Sequence, residues 1–418
     1  MWERFSFYGM RAIFVLYLTH ETIGQNPGLG WDNTRALSLY GWYTMLVYMM
    51  SIPGGIIADR LLGQKKTVFL GGLLIIAGQF ALAIDNLTSF YTGLLLLICG
   101  VGCLKPNISS MVGGLYRDGD PRRDFGFTIF YIGINIGAMT APILVGYIGE
   151  VHNWHLGFAL AGFGMMLGQI VYIWGRKYIK DVGNFVPVQK VVGTNKHAPL
   201  TKIEKDQVIV LLISFIIVII FWAAYEQAGG LMNLYTEEKV NRVILGWEIP
   251  ASTFQFVPAL FVVLLGTPVA IYWNRRQNKG KETSALFKMA LGIIVTGSGF
   301  TMMSAAALQA ETGVKAMLIF LILSYLLQVI GELSLSPVAL SFITKLAPAK
   351  YASIMMGLYF AATGLGNKLA GLVGQVAQVA GEFEVFTGIF IFCLLFGLLL
   401  LVFLKKLKTL TRGAEDVY

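Results

Sequence analysis

Apolar residues run along this chain in stretches of about 20, which as a helix rising 1.5 Å per residue span a ~30 Å hydrocarbon core. Twelve such runs recur, near 1–20, 36–58, 66–84, 88–114, 125–149, 155–175, 207–230, 250–273, 286–308, 316–340, 352–380 and 383–404. Short polar connections separate them, apart from one long polar segment at 176–206 that divides the runs six and six. The pattern predicts an all-α integral membrane protein built from two six-helix bundles. Residues 1–175 form the first, 176–206 a linker, and 207–418 the second bundle with a tail.

The connections carry their own pattern. One alternating set holds Arg60, Lys65 and Lys66, then Arg117, Arg122 and Arg123, the lysines and arginines of 176–205, Arg275 to Lys281, Lys345 and Lys350, and the tail lysines from Lys405. The opposite set holds Arg35, Lys239, Arg242 and Lys315. Cytoplasmic loops accumulate Lys and Arg, so both termini and the linker belong on the cytoplasmic side. The net charge of +9 is thereby an orientation signal, which removes the reason to expect a nucleic-acid partner.

Composition agrees with a membrane solvent: 56% of residues are hydrophobic, 13% are charged, and mean hydropathy is +0.68. The 48 glycines suit helices that approach closely in lipid. Cys99, Cys103 and Cys393 stand inside apolar runs without a CxxC spacing, and read as small packing residues. Nothing points to a cofactor or a metal. No HExxH or GxSxG pattern lies within a span, and the four histidines fall outside the membrane core, so an enzyme is not expected.

Against this apolar background a few ionisable residues stand at membrane depth: Glu3, Arg4, Arg11, Lys105, Glu226, Glu332 and Lys368. Each costs at least ~2.5–3.5 kcal/mol at a helix centre, so each should face water or an opposite charge. Arg4, Tyr8 and Arg11 recur at i, i+4 and i+7 and share one helix face. The two halves answer each other weakly. DRLLGQKK resembles NRRQNKGK, Lys105-Pro106 matches Ser336-Pro337, and YIGINIG matches YFAATGLGN. Paired halves build the central sites of secondary transporters, which open to either side in turn. Under that symmetry Arg11 faces Glu226 and Lys105 faces Glu332, either as two ion pairs or as four separately solvated charges. Tyr8, Tyr40, Tyr48, Tyr131, Asn135, Trp222 and Tyr359 add aromatic and amide groups. Pro53, Pro106, Pro142, Pro258, Pro268 and Pro337 predict kinks.

Six stretches together resemble the proton-coupled oligopeptide transporters, a branch of the major facilitator superfamily. ERFSFYGMR is similar to that family's first-helix ExxERFxYYG motif, whose first glutamate falls just before Met1. GGIIADRLLG, GCLKPNISS, FTIFYIGINIGA, FWAAYEQAG and GELSLSPV follow in the family's order. The resemblance implies the major facilitator fold and proton-coupled import of di- and tripeptides. Arg11 and Lys105 would take the peptide carboxylate, and Asn135 and Glu332 its amine. Tyr8, Tyr48, Tyr131, Trp222, Ser336 and Tyr359 would line side-chain pockets. Glu3, Arg4, Arg11, Lys105, Glu226 and Glu332 would carry proton coupling. Tyr359 stands in place of a tryptophan, Val257-Pro258 in place of Asn-Pro, and the 176–206 segment is too polar for the two extra helices that many bacterial members insert. A porter of nitrate, a sugar or a drug on the same fold is the alternative reading. Peptide, protons and the lipid bilayer are the partners implied; oligomeric state is left open.

Overall fold

The computed structural model describes residues 1–116, 120, 122–180, 182–185, 200–348 and 351–413, without the side chains of residues 123, 124, 352 and 353. About half of the predicted linker, residues 181 and 186–199, therefore lies outside the described residues, as do Arg117 and Lys350.

Every predicted span coincides with helix. In chain order these are α1 (Trp2–Thr19), α2 (Asn33–Met49), α3 (Ser51–Ile57), α4 (Gln64–Leu82), α5 (Leu87–Gly114), α6 (Arg122–Ala141), α7 (Trp154–Gly175), α8 (Lys202–Tyr225), α9 (Leu231–Lys239), α10 (Phe256–Asn278), α11 (Ala285–Glu311), α12 (Leu318–Leu346), α13 (Ala352–Ala380) and α14 (Glu382–Leu410). Among the described residues fourteen α-helices serve the twelve spans because two runs are broken. The 36–58 run is split at Met50, three residues before Pro53, into α2 and α3. The 207–230 run ends at Tyr225, turns through a tight 3-10 segment over Glu226–Gly229, and restarts as α9. Ten spans among the described residues are long and apolar enough on composition alone to cross a membrane, and α1 is set apart by Glu3, Arg4 and Arg11.

Proline does not act uniformly. At Pro142 the α6 geometry widens to a π-helical turn over Pro142–Gly146, and Pro258 occupies the first turn of α10, where its missing N–H has no helical acceptor to lose. Pro106, Pro268 and Pro337 instead sit inside continuous α5, α10 and α12.

The chain forms two compact units. The first is Met1–Gln189 with Ala228–Glu237 and Arg242–Leu260; the second is Lys190–Gln227, Glu238–Asn241 and Phe261–Tyr418. The units thus do not follow the chain halves, because residues 228–237 and 242–260 pack with the first. Asn233 Nδ2 donates to Ala12 O of α1 at 2.9 Å, and the N–H groups of Ala251 and Ser252 donate to the Glu150 carboxylate at 2.7 and 2.9 Å.

Within the first unit, α4 and α5 meet backbone to backbone. A methyl group at Gly71 would stand 2.7 Å from Gly100 O, and one at Gly93 2.8 Å from Gly78 O. In the second unit α11 and α12 touch the same way at Gly292 and Gly331. Close approach of this kind supplies the packing that apolar transfer cannot supply in lipid. Buried amides then tie helices together: Gln79 Nε2 donates to Ser6 Oγ at 3.0 Å, and Gln169 Nε2 to Phe69 O at 2.8 Å. Of the three cysteines, Cys103 and Cys393 are buried and Cys99 is half-buried.

Candidate functional site

The functional residues expected from the sequence fall into two sets, one in each unit. In the first unit, α1 turns Tyr8 and Arg11 onto one face, with the Arg11 guanidinium carbon 5.6 Å from the Tyr8 ring centre. Arg11 is buried, and its Nε donates to the hydroxyl of fully buried Tyr40 at 3.0 Å. Gly229, where α8 gives way to α9, is what lets both side chains stay there. A Cβ at that position would collide with Tyr40 Oη and Arg11 Nε and lie 2.7 Å from Arg11 Nη2. One turn nearer the start of α1, Arg4 Nε contacts Glu3 Oε2 at 3.2 Å, and both side chains are largely buried.

Lys105 is set by the contact of α5 with α3. A methyl at Gly54 would run into Gly102 O, while Asn107 Nδ2 donates to Cys103 O at 2.7 Å and Gly54 O at 3.3 Å. The Lys105 ammonium lies 3.5 Å above the centre of the Tyr48 ring, a cation–π contact. On α6, Tyr131 is half exposed, and Asn135 is buried with its amide donating to Tyr131 O at 2.9 Å.

In the second unit the Tyr225 hydroxyl donates to Glu332 Oε2, joining the end of α8 to the middle of α12. Ser336 follows Glu332 by one helical turn, and its hydroxyl oxygen is buried with no hydrogen-bond partner among the described residues. Trp222 packs edge-on against Tyr225 with ring centres 5.6 Å apart. It is held by α13, where a methyl at Gly366 would come within 2.7 Å of Trp222 Cβ and Ile219 O. Glu226, the first residue of the 3-10 turn, is buried. Its neighbour Gln227 anchors that turn to α13 by donating to Ala370 O at 3.0 Å. On α13, Tyr359 stands next to Phe360, ring centres 5.7 Å apart, and Thr363 Oγ1 donates to the Tyr359 carbonyl. Asn367 is 1% exposed, and neither atom of its side-chain amide finds a hydrogen-bond partner among the described residues. No cluster of His, Cys, Asp or Glu that could hold a metal occurs among the described residues.

The charges at membrane depth divide between the units. Arg11 and Lys105 are in the first, with Glu3 and Arg4 also there, and Glu226 and Glu332 are in the second, with Lys368 also there. The neutral groups seated on them are Tyr40, Tyr48 and Tyr225. Sequence reasoning did not single out Tyr225, although its place beside Glu226 in FWAAYEQAG was visible. It also missed a cluster in the first unit. Arg242 is buried and contacts Glu237 at 2.9 Å, Glu248 at 3.1 Å and Glu150 at 3.5 Å. Glu150 at the same time caps the turn at Ala251–Gln255, its third bond coming from Ser252 Oγ at 2.6 Å. The sequence carried no local signal for this cluster, because Glu150 comes from the segment between α6 and α7 while Glu237, Arg242 and Glu248 come from α9 and the connection after it.

Comparison with known proteins fits a transporter. The POT family model matches residues 65–196 and 187–388. A di-/tripeptide transporter of Lactococcus lactis subsp. cremoris is 34% identical, over 98% of this chain and 94% of its own length. An uncharacterized transporter of Bacillus subtilis (strain 168) is 38% identical, over 92% and 86%. Among solved structures, a peptide transporter POT in complex with sulfate superposes with a TM-score of 0.91 at 33% identity, covering 99% of this chain and 94% of that one. A POT family transporter in complex with 5-aminolevulinic acid gives 0.89 at 29% identity, covering 97% and 94%. With the family model spanning well over half of the residues and the relatives matching almost end to end, the chain is a multi-pass membrane transporter of the major facilitator fold and belongs to the POT family.

Proposed function

We propose that the protein is a proton-coupled symporter that imports di- and tripeptides by alternating access across a bacterial inner membrane, with both termini in the cytoplasm. The observation that carries this reading is that both signs of charge stand at membrane depth, Arg11 and Lys105 on α1 and α5 and Glu226 and Glu332 at the end of α8 and on α12. A peptide backbone is a zwitterion and needs both poles, whereas nitrate needs only the cationic one. Arg11 and Lys105 take the peptide carboxylate, Tyr40 fixing the plane of the guanidinium. Asn135 and Glu332 take the amine, and Tyr8, Tyr48, Tyr131, Trp222, Ser336 and Tyr359 line the walls that accept varied side chains. The similar transporter solved with 5-aminolevulinic acid supports this chemistry, since that ligand also carries an amine and a carboxylate. The relative from Lactococcus lactis supports the substrate class.

Coupling follows from the cost of unpaired charge in a low dielectric. In the proposed cycle a proton on Glu226 or Glu332 removes that carboxylate's hold on a cation, and Arg11 or Lys105 is then available to the substrate. Glu3 and Arg4 serve the same proton path at the start of α1.

The test is uptake of a labelled dipeptide into proteoliposomes with and without an inward proton gradient. Accumulation is expected only with the gradient. Lys105→Ala is expected to lose gradient-driven accumulation while retaining exchange. Accumulation of nitrate or a drug with no peptide uptake would overturn the reading in favour of another porter on the same fold.

A further inference from the structure

One cavity in the second unit takes no part in the charge set above. It has a volume of about 730 Å³ and opens where α10 ends, α11 begins and α12 and α14 finish. That size lies in the range of small-molecule sites. Its wall carries four lysines, Lys281, Lys288, Lys345 and Lys408, against one carboxylate, Glu282. The carboxylate is already committed: it accepts from Ser284 N at 2.8 Å and from Lys408 Nζ at 2.9 Å. The cavity therefore holds a surplus of positive charge at the end of the unit where Arg275, Arg276, Lys279, Lys405, Lys406 and Arg412 also cluster.

A second feature converges on the same space. The 27-residue helix α11 starts at the cavity wall, and its half-buried N-cap residue Ser284 makes no side-chain cap hydrogen bond to it. An uncapped helix start presents backbone N–H groups and the positive end of the helix dipole, which together favour phosphate. Thr283 and Ser341 add hydroxyl donors, and Val338 and Phe342 supply an apolar wall. Basic pockets between helices at a cytoplasmic membrane face suit phosphorylated headgroups.

We infer that this cavity binds a phosphate-bearing anion, held by Lys288, Lys345 and Lys408 and the start of α11, independently of peptide transport. The chemistry is common to an anionic phospholipid headgroup and a free phosphate compound, and the test has an arm for each. The full-length protein, stripped of lipid in neutral detergent, is titrated with pyrophosphate and, separately, with cardiolipin or phosphatidylcholine. Binding is read by native mass spectrometry and by the rise in melting temperature. Cardiolipin, pyrophosphate or both are expected to bind, and phosphatidylcholine is not. Saturation by cardiolipin alone identifies a lipid headgroup, and saturation by pyrophosphate a soluble ligand.

Removing two cavity lysines in Lys288→Gln/Lys345→Gln is expected to weaken binding about 25-fold, roughly fivefold per charge. Lys405→Gln/Lys406→Gln, an equal loss of charge on exposed residues outside the cavity, is expected to change it by less than about twofold. Ser341→Glu, which keeps every lysine and places a carboxylate on the wall, should weaken binding as the cavity pair does, and it decides the matter if that pair fails to fold. Failure of both pyrophosphate and cardiolipin to bind overturns the inference. So does equal weakening by the two double variants, which would mark general surface electrostatics.

Discussion

Gly229→Ala puts a single methyl group where α8 gives way to α9, and the structure defines what it meets. The new carbon would overlap Tyr40 Oη and Arg11 Nε and lie 2.7 Å from Arg11 Nη2, closer than side-chain carbons sit in folded proteins. The backbone has little room to yield. Ala228 O accepts from Gln255 Nε2, and Asn233 is tied to Ala12 O at 2.9 Å. Tyr40 is 1% exposed and packs beside Phe14, ring centres 6.4 Å apart. Arg11 is therefore the group that moves, and its 3.0 Å bond to Tyr40 is lost. A hydrogen bond with a charged donor contributes about 1.5–3 kcal/mol, and overpacking costs about 1–3 kcal/mol. If Arg11 holds the peptide carboxylate, that energy is read as a roughly tenfold to hundredfold rise in the KM for gradient-driven uptake, together with a lower melting temperature. Gly266→Ala is the control, since a methyl there meets nothing within 4 Å and replaces glycine inside α10; it should be neutral or slightly stabilising. A Gly229→Ala transporter with wild-type KM and melting temperature would refute the assignment of Arg11 and Tyr40 as a coupled, pre-set pair.

Two other outcomes follow from geometry away from that pair. Glu150→Ala removes three hydrogen bonds to Ala251 and Ser252 and one carboxylate from Arg242; it should lower stability by about 1–3 kcal/mol, read by thermal melting in detergent, whereas Asp85→Ala, at an exposed turn, should not. Burial pushes Glu282 up, but bonds from Ser284 and Lys408 outweigh it and hold the carboxyl at about 2, below its ordinary 4.5. A lowered folded-state value stabilises above the ordinary value and is lost as the pH falls from about 4.5 towards 2, so Glu282→Gln should flatten the fall in melting temperature across that window. An unchanged acid limb in the variant would remove Glu282 from that account.

The membrane spans were legible because hydrophobic run length and loop charge are local quantities that lipid enforces along the whole chain. The shared face of Tyr8 and Arg11 was legible for the same reason, since helical spacing alone decides it, and the ring contact between them bears it out. The break at Glu226–Gly229 was not drawn, although the Gly229-Gly230 pair marks it. Apolar periodicity continues through both pieces, and only the packing of Tyr40 and Arg11 shows why glycine is required. Proline acts differently from site to site: Pro53 follows a break between two α-helices and Pro142 opens a π-helical turn, while Pro106, Pro268 and Pro337 sit in unbroken helices. Arg242 was read as one of the few basic residues of its loop set. It is a buried centre for Glu150, Glu237 and Glu248, a role that depends on connections more than ninety residues apart and leaves no trace in spacing.

The central proposal is that Arg11 and Lys105 take the carboxylate of a zwitterionic peptide and Glu332 takes its amine. Its most direct measurement is competition against labelled dipeptide uptake by three unlabelled forms of one dipeptide: free, N-acetylated and C-amidated. Wild-type protein should prefer the free form over both blocked forms. Glu332→Gln should lose the preference over the N-acetylated form while keeping the preference over the C-amidated one. Equal loss of both preferences in that variant, or loss of neither, would contradict the account.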